Sequence, residues 1–250
     1  AYRIEAALDE PGGVLRGRAR LRYENRRADR LDTLYFHLYL NAFRPNSAWA
    51  RRELAFGIRR FQDLGPDDHA YERVRAVTVD GRPARAVYPF APDSTVLAVP
   101  LPRPLARGET LVAELDWEAR LATVPRRQGR RGRHYDFAHG YPRIAVYEAP
   151  TPHAPARGAG GGGGWAFRPH LPQGEFYGEF ASYDVTLDLP ADLVVAATGV
   201  PVEGDPGWAA AAAPGTGPVY DRRDAYPPRP AEPLGFLSDA PAPGRKRVRW

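Results

Sequence analysis

The amino-acid sequence predicts an all-β protein, an antiparallel β-sandwich with one short helix and long loops. Apolar and polar residues alternate with a period of two over the first strands, which is typical of a half-buried sheet. Turn residues recur at the spacing expected of a sandwich, and only one segment carries convincing helix signals. With 250 residues, of which 43% are hydrophobic, the chain is long enough to bury one substantial core.

Strands are predicted where apolar residues alternate, or run continuously, between turn residues. The segment 34–40 is apolar or aromatic on both faces, so we expect it to be a central strand. The predicted strands cover residues 2–8, 15–23, 34–40, 74–79, 84–88, 94–99, 109–117, 183–189, 193–198 and 245–250.

The one predicted helix lies within residues 46–57. Either Asn46 or Ser47 can form its N-cap, and Gly57 can end it. We interpret the whole chain, 1–250, as a single domain whose regular part ends near residue 200. The segment 201–244 is rich in Pro, Ala and Gly and is interpreted as a loose insertion before the last strand.

The positive charge of the chain does not by itself indicate nucleic-acid binding. The net charge is +5, but Lys246 is the only lysine, and the bias towards arginine resembles GC-rich coding. Alternating arginines, as at Arg16 and Arg18, are expected on a solvated sheet face. The arginine cluster of 126–133 lies near Tyr135 and Phe137 and could bind single-stranded RNA, but we favour a solvated loop or one that faces an acidic partner domain. We expect no nucleic-acid partner and no membrane span.

No motif for catalysis is present in the chain. A His-Glu-x-x-His helix, a cysteine and a Gly-x-Ser-x-Gly elbow are all absent from the sequence, so no catalytic residue and no metal ligand is predicted. His134 and His139, with Asp136 between them, have a spacing that suits neither a helix face nor a strand. The glycine run 160–164 lacks the Lys and Ser/Thr of a phosphate-binding loop and is interpreted as a linker. It ends the irregular segment 149–164, which we expect to be mobile.

Several segments together resemble a known family. They are YFHLYLNAF at 35–43, the stretch 93–105 with its spaced Asp, Thr, Val, Leu and Pro residues, YPRIAVYE at 141–148, and QGEFYGEFASYDVTLDLPADLVVAATG at 173–199. In order and spacing they are similar to the N-terminal part of aminopeptidase N-like zinc metallopeptidases of the gluzincin clan. The resemblance covers about residues 1–199.

This resemblance implies a saddle-shaped N-terminal β-sandwich that is not an enzyme alone. It implies that 245–250 leads into a catalytic domain that this chain lacks, that zinc belongs to that domain, and that this chain holds no cofactor. The sandwich would cover the active-site cleft and help to anchor the N-terminus of a peptide substrate, so its partners would be that peptide and its own downstream catalytic domain. The sequence leaves the compartment open, with an extracytoplasmic or secreted location preferred.

The resemblance also nominates site residues. Relatives often carry Gln-Trp just before the YPR motif, where this chain has His139 and Gly140. A neutral imidazole can accept one hydrogen bond from a substrate ammonium, whereas a protonated one would repel it. We nominate His139, Tyr141, Arg143 and Glu175 as the substrate-anchoring surface, with the alternative that Tyr141 and Arg143 only alternate across a strand. The alternative function is a free-standing β-sandwich module that binds peptide by edge-strand addition or carbohydrate through exposed aromatic residues.

Overall fold

The structure, a computed structural model, describes residues 1–27, 29–123, 128–148, 164–212 and 232–250. Strands dominate it. The strands are β1 Tyr2–Asp9, β2 Val14–Glu24, β3 Leu31–His37, β4 Tyr71–Val79, β5 Arg82–Pro83, β6 Val96–Leu105, β7 Thr110–Arg120, β8 Gly129–Arg131, β9 His134–Asp136, β10 Arg143–Ile144, β11 Val146–Glu148, β12 Gly164–Ala166, β13 Tyr183–Pro190 and β14 Arg245–Arg249. The helices are α1 Ala48–Ala55 and α2 Trp208–Ala211, with 3-10 turns at Tyr39–Phe43 and Pro66–Asp68.

Two sheets form the sandwich. The larger has the strand order β14-β13-β1-β2-β7-β4-β5, and the smaller has the order β10-β3-β6. Two further pairs, β8–β9 and β11–β12, lie outside these sheets. Among the described residues, strand pairing is antiparallel except between β1 and β13, which are parallel. The all-β sandwich prediction is therefore confirmed, with one parallel pair that the sequence did not indicate.

One hydrophobic cluster joins the two sheets. Ile4 and Leu21 of the larger sheet and Leu34, Phe36 and Val99 of the smaller one belong to the same buried cluster. Their buried positions follow the alternation read from the sequence, because successive side chains of a strand point to opposite faces. The hydrophobic contact between the sheets is the basis of the fold's stability.

The predicted central strand ends earlier than expected. β3 is the middle strand of the smaller sheet, but the chain turns into the 3-10 helix Tyr39–Phe43 instead of continuing to Leu40. The side chain of Asn41 stabilises this turn, since its amide nitrogen donates to the carbonyl of Glu72 and its amide oxygen accepts from the Glu72 N–H, both at 2.8 Å. The buried Asn41 side chain thus supplies hydrogen bonds to the Glu72 backbone at a point where β3 has ended and provides no strand pairing.

The predicted helix is confirmed as α1. Ser47 is its N-cap, and the Ser47 hydroxyl accepts from the N–H of Ala50 at 2.9 Å. The Asp93 carboxylate accepts from the N–H of Ala48 at 2.6 Å, so a second free N–H at the helix start is satisfied. Gly57 follows the helix with a φ of 76°, a conformation that favours glycine.

Three local expectations need correction. The segment 84–88 is not a strand; it makes only a single bridge between Val87 and Ala98. The segment 193–198 is not a strand either, because both edges of β13 are already paired, to β1 and to β14. The described part of the arginine-rich segment 126–133 is not simply a loop, since β8 pairs with β9.

Within the insertion 201–244, the segment 232–238 is hydrogen-bonded to the larger sheet. The Glu5 carboxylate accepts from the N–H groups of Leu234, Phe236 and Leu237 at 2.7, 3.1 and 3.2 Å. Residues 213–231 of the insertion and 149–163, which include most of the predicted glycine linker, lie outside the described residues. Across the described residues, no helix is long and apolar enough to cross a membrane.

Candidate functional site

The two segments that carry the most specific family resemblance meet at one end of the smaller sheet. Arg143 starts β10 and pairs with His37 of β3. The chain reaches β10 through His139, whose φ of 55° lies in the left-handed region. Arg143 Nη1 lies 2.8 Å from His139 Nδ1. Because a guanidinium can only donate, His139 Nδ1 accepts this hydrogen bond and carries no proton.

Tyr39 is the centre of an aromatic and histidine cluster. Its ring centroid lies 4.7 Å from that of His37, 5.6 Å from His139, 5.5 Å from His170 and 4.8 Å from Phe176. Such distances are those of stacked and edge-to-face aromatic pairs. The cluster therefore connects the 3-10 turn after β3 with the segment that precedes β13.

The Tyr39 hydroxyl also fixes that segment through the backbone. It donates to the carbonyl of Tyr177 at 2.6 Å and accepts from the Tyr177 N–H at 2.9 Å. Burial raises the pKa of Tyr39, so the hydroxyl keeps its proton and remains a donor at neutral pH. As donor and as acceptor, this hydroxyl holds the backbone of Tyr177 in place.

His37 is a neutral imidazole inside this cluster. Burial lowers the pKa of His37 to about 4. Its Nε2 lies 3.2 Å from the Ala166 carbonyl, which can only accept, so Nε2 carries the proton. Its Nδ1 is buried and has no hydrogen-bond partner among the described residues. The cationic charge at this end of the sheet thus comes from Arg143.

Arg143 is wedged against the backbone of Gly178. A Cβ atom on Gly178 would lie 2.6 Å from Arg143 Cζ and 2.8 Å from Arg143 Cδ, closer than side chains approach. Arg143 Nε is buried and has no hydrogen-bond partner among the described residues. Only a glycine at position 178 leaves room for the guanidinium in this position.

Tyr141 belongs to a different group of contacts. Its hydroxyl donates to the Tyr183 hydroxyl at 2.9 Å, and its ring lies edge-on to that of Tyr2 at 5.7 Å. The Tyr2 and Tyr183 rings are stacked at 5.3 Å. Burial, followed by the hydrogen bond with Tyr183, raises the pKa of Tyr141, so its phenol is protonated at neutral pH.

Tyr2 links this group to the smaller sheet. Its hydroxyl donates to the Pro142 carbonyl at 3.1 Å and accepts from the Ile144 N–H at 2.8 Å. The first strand of the larger sheet is thereby bonded to the edge strand of the smaller one. The backbone of the YPR motif is held by residues on both sides of the sandwich.

The four predicted site residues are thus brought near one another to different degrees. His139 and Arg143 are in direct contact, and Tyr141 lies beside Tyr183. Glu175 is exposed, and its neighbour Phe176 has its ring centroid 4.5 Å from that of His139.

Sequence reasoning missed Tyr39, His170, Phe176 and Gly178 as members of the site. The signal that could have found Tyr39 is the density of aromatic residues in the segment 35–43.

Two histidines of this cluster already have hydrogen-bond partners. His37 Nε2 is engaged by the Ala166 carbonyl, and His139 Nδ1 accepts from Arg143. Across the described ranges there is no group of three His, Cys, Asp or Glu residues arranged to hold a metal.

The comparisons with known proteins give a likeness of fold alone. No protein-family model matches the chain, and no curated protein matches it in sequence. Similar solved structures include the M1 zinc metallopeptidase from Deinococcus radiodurans, at 16% identity and a TM-score of 0.44. A point mutant of that enzyme has 19% identity and a TM-score of 0.46, and the mutant bound to a Tyr-Ser-Ala substrate has 16% and 0.43.

Each of these comparisons covers 100% of this chain and 37% of the other. This chain therefore spans little more than a third of the length of the enzymes that it resembles. These identities and TM-scores lie below the range in which structural similarity bears on function.

Proposed function

We propose that the chain is the N-terminal, non-catalytic domain of a zinc-dependent aminopeptidase, which covers the active-site cleft and helps to anchor the N-terminus of a peptide substrate. One observation carries the proposal. The two segments that resemble the family, 141–148 and 173–199, contact each other through Arg143 with Gly178 and through Tyr141 with Tyr183. At this contact the resemblance includes half-buried and exposed residues, such as Arg143 and Glu175, in addition to the core positions that it covers elsewhere. Residues gathered at a surface favour a shared site over shared packing.

The charges at this surface divide the anchoring role among the nominated residues. Arg143 already occupies His139 Nδ1, and its cation disfavours a substrate ammonium beside it. Glu175 is exposed and carries a carboxylate, the group that binds an ammonium best. Within the proposal, Glu175 holds the substrate N-terminus, while Arg143 and His139 form the wall next to it.

The surface beside the site supports a protein partner. Phe180 is 98% exposed, Tyr177 50% and Tyr183 40%. These three aromatic residues lie within seven positions of the sequence, and exposed apolar side chains that cluster mark interaction surfaces in soluble proteins. The partner proposed for them is the catalytic domain, in which zinc would activate a water molecule.

The paired arginines argue against nucleic acid as the partner. Arg18 Nε lies 2.6 Å from Asp116 Oδ1, and Arg20 Nε lies 2.8 Å from Glu114 Oε1. These two carboxylates of β7 thus neutralise two of the arginines of β2. A phosphate backbone would have to displace them, which weakens binding.

The second candidate is a free-standing module that binds peptide or carbohydrate. The exposed rings of Phe180 and Tyr183 favour it as well, since exposed aromatic faces also bind sugars. The two candidates differ in what the whole gene encodes. Only the first requires a zinc-binding domain in the same polypeptide.

The test is to express the polypeptide encoded by the complete gene and to assay it with a panel of aminoacyl-coumarin amides, with and without a zinc chelator. We expect release of the fluorophore that the chelator abolishes. Glu175→Gln should raise KM about tenfold and leave kcat nearly unchanged, because a charge-assisted hydrogen bond to the ammonium is lost. Glu24→Gln, on the surface of β2, is the matched control.

A gene that encodes no zinc motif would overturn the proposal. Binding of peptides and glycans to this chain would then decide for or against the free-standing module. An active enzyme in which Glu175→Gln leaves KM unchanged would remove the anchoring role from Glu175 and keep the assignment of the domain.

A further inference from the structure

The C-terminal end of α1 carries an apolar surface that the proposed function does not use. We call residues 54–58 the α1 tip. Within it Leu54 is 42% exposed, Phe56 75% and Ile58 43%. At Gly57 the backbone has a φ of 76°, and no heavy atom lies within 4 Å of the position that a Cβ would take. The α1 tip therefore protrudes into open space, in contrast to a groove or a flat sheet.

The other face of α1 holds the tip firmly. Trp49, Ala50 and Glu53 are buried, and the Trp49 ring lies 5.3 Å from that of Phe43 and 5.9 Å from that of Phe61. Arg60 Nε bonds to Glu53 at 3.1 Å across the turn. The exposure of the tip is thus a property of a packed helix, and ordering it on contact costs little conformational entropy.

Arginines flank the α1 tip on both sides. Arg51 and Arg52 precede it and Arg59 and Arg60 follow it, and all four are exposed. The segment 48–63 contains these four arginines and two carboxylates, Glu53 and Asp63, so this end of α1 carries a net positive charge. Arg59 pairs with Asp63 at 3.0 Å.

Arg52 remains without an ion pair in the part of the chain that the structure describes. Along the sequence after this segment, the next carboxylates are those of the 3-10 turn Pro66–Asp68. Within that turn, an Asp67 carboxylate oxygen lies 3.6 Å from Arg120 Nη1. They belong to another local network, so the positive charge at the tip persists.

We propose that the α1 tip docks on an anionic lipid surface. Phe56 and its two aliphatic neighbours would enter the interface between headgroups and acyl chains, while the flanking arginines bind lipid phosphates. A stable protein interface buries about 800 Å² on each partner, which a five-residue protrusion does not provide. A bilayer requires only a few inserted apolar side chains together with nearby cations. The shape and the charge of the tip therefore both favour a membrane surface over a protein partner.

The test is sedimentation of the chain with vesicles of phosphatidylcholine alone and with vesicles of equal parts phosphatidylcholine and phosphatidylglycerol. We expect binding to the mixed vesicles that weakens with added salt, and little binding to the neutral ones. Phe56→Ser should reduce the binding about tenfold, since a largely exposed phenyl ring no longer enters the interface. Arg52→Glu should reduce binding to the mixed vesicles and lower its salt dependence.

Phe180→Ser is the matched control, because Phe180 is 98% exposed but belongs to the surface beside the candidate site. This control should bind like the unchanged chain. Circular dichroism of each variant verifies the fold.

Equal loss in Phe56→Ser and Phe180→Ser, equal binding to both vesicle types, or no binding at all would overturn the proposal. A dimer that Phe56→Ser dissociates, without vesicle binding, would assign the tip to a second copy of the chain. None of these outcomes depends on whether the proposed peptidase function is correct.

Discussion

The guanidinium of Arg143 and the backbone of Gly178 are packed so closely that a methyl group at position 178 would lie 2.6 Å from Arg143 Cζ. This contact joins two segments that are distant in sequence, and it keeps Arg143 Nη1 at 2.8 Å from His139 Nδ1. The conformation of the nominated site thus depends on a residue that has no side chain.

Gly178→Ala should therefore displace Arg143. We expect a loss of about 1 to 3 kcal/mol in the free energy of unfolding, as for other insertions of a methyl group into packed regions. Urea denaturation measures it. Gly65→Ala is the control, because its Cβ would meet only Asp68 Oδ2, at an ordinary 3.5 Å.

In an Arg143→Ala background, Gly178→Ala should cost less than about 0.5 kcal/mol, since the obstructing group is gone. Equal costs for Gly178→Ala and Gly65→Ala would show that the guanidinium moves aside freely.

Glu72→Gln should remove a pH dependence of stability. Glu72 is 1% exposed, so its carboxyl group is removed from water. Burial raises its pKa well above the ordinary value of 4.5, so the folded chain binds this proton more tightly than the unfolded chain. The contribution of Glu72 to stability is complete below pH 4.5 and is lost as the pH rises through the folded pKa.

The free energy of unfolding of the unchanged chain should fall over this range, whereas that of Glu72→Gln should fall less steeply. Urea titrations at a series of pH values measure both slopes. Glu24→Gln, at the end of β2, should keep the slope of the unchanged chain. A Glu72→Gln variant with an unchanged slope would contradict the prediction.

Glu5→Gln should release the segment 232–238 from the larger sheet. A glutamine side chain presents one NH₂ group to backbone N–H donors where the carboxylate presents only acceptors. We expect the free energy of unfolding to fall by about 1 to 3 kcal/mol. Hydrogen exchange should become faster at Leu234, Phe236 and Leu237. Glu232→Gln is the control, because the Glu232 side chain is 89% exposed and its 3.8 Å contact with Arg20 is at the surface. Equal hydrogen-exchange rates in the two variants would refute the anchoring role of Glu5.

Asp188→Asn should weaken the attachment of β14. The Asp188 carboxylate is buried and pairs with Arg245 and with Arg247, the latter at 3.0 Å. Removal of its charge leaves two partly buried guanidinium groups without this anion. We expect the free energy of unfolding, measured by urea denaturation, to fall by about 3 kcal/mol. Asp192→Asn, whose carboxylate is 65% exposed and pairs with Arg133, should change the stability little. Similar losses in both variants would contradict a special role for Asp188.

Much of the fold could be predicted because local patterns decide it. The alternation in β1 and β2 predicts their buried face, and Ser47 predicts the start of α1, since both depend only on residues nearby in sequence. The strand expected over 193–198 fails for a reason that no local pattern contains. β13 has no free edge left, and this is decided by β1 and β14.

The candidate site could be predicted less well for the same reason. Resemblance located His139 and Arg143, but their hydrogen bond depends on the room left by Gly178, and the role of Tyr39 depends on Tyr177. The anchor between Glu5 and Leu234 joins residues 229 positions apart. Such pairings follow from the tertiary fold, so periodicity and spacing do not reveal them.

The parallel pairing of β1 with β13 has a consequence for synthesis of the chain. β2 can cover one edge of β1 early, but the partner of Tyr2 on the other edge is Tyr183. At ribosomal rates of about 5 to 20 residues per second, that edge stays open for roughly 10 to 40 seconds. During this time the nascent chain presents unpaired backbone groups to other chains, and a chaperone that shields strand edges would determine how much of it reaches the native state.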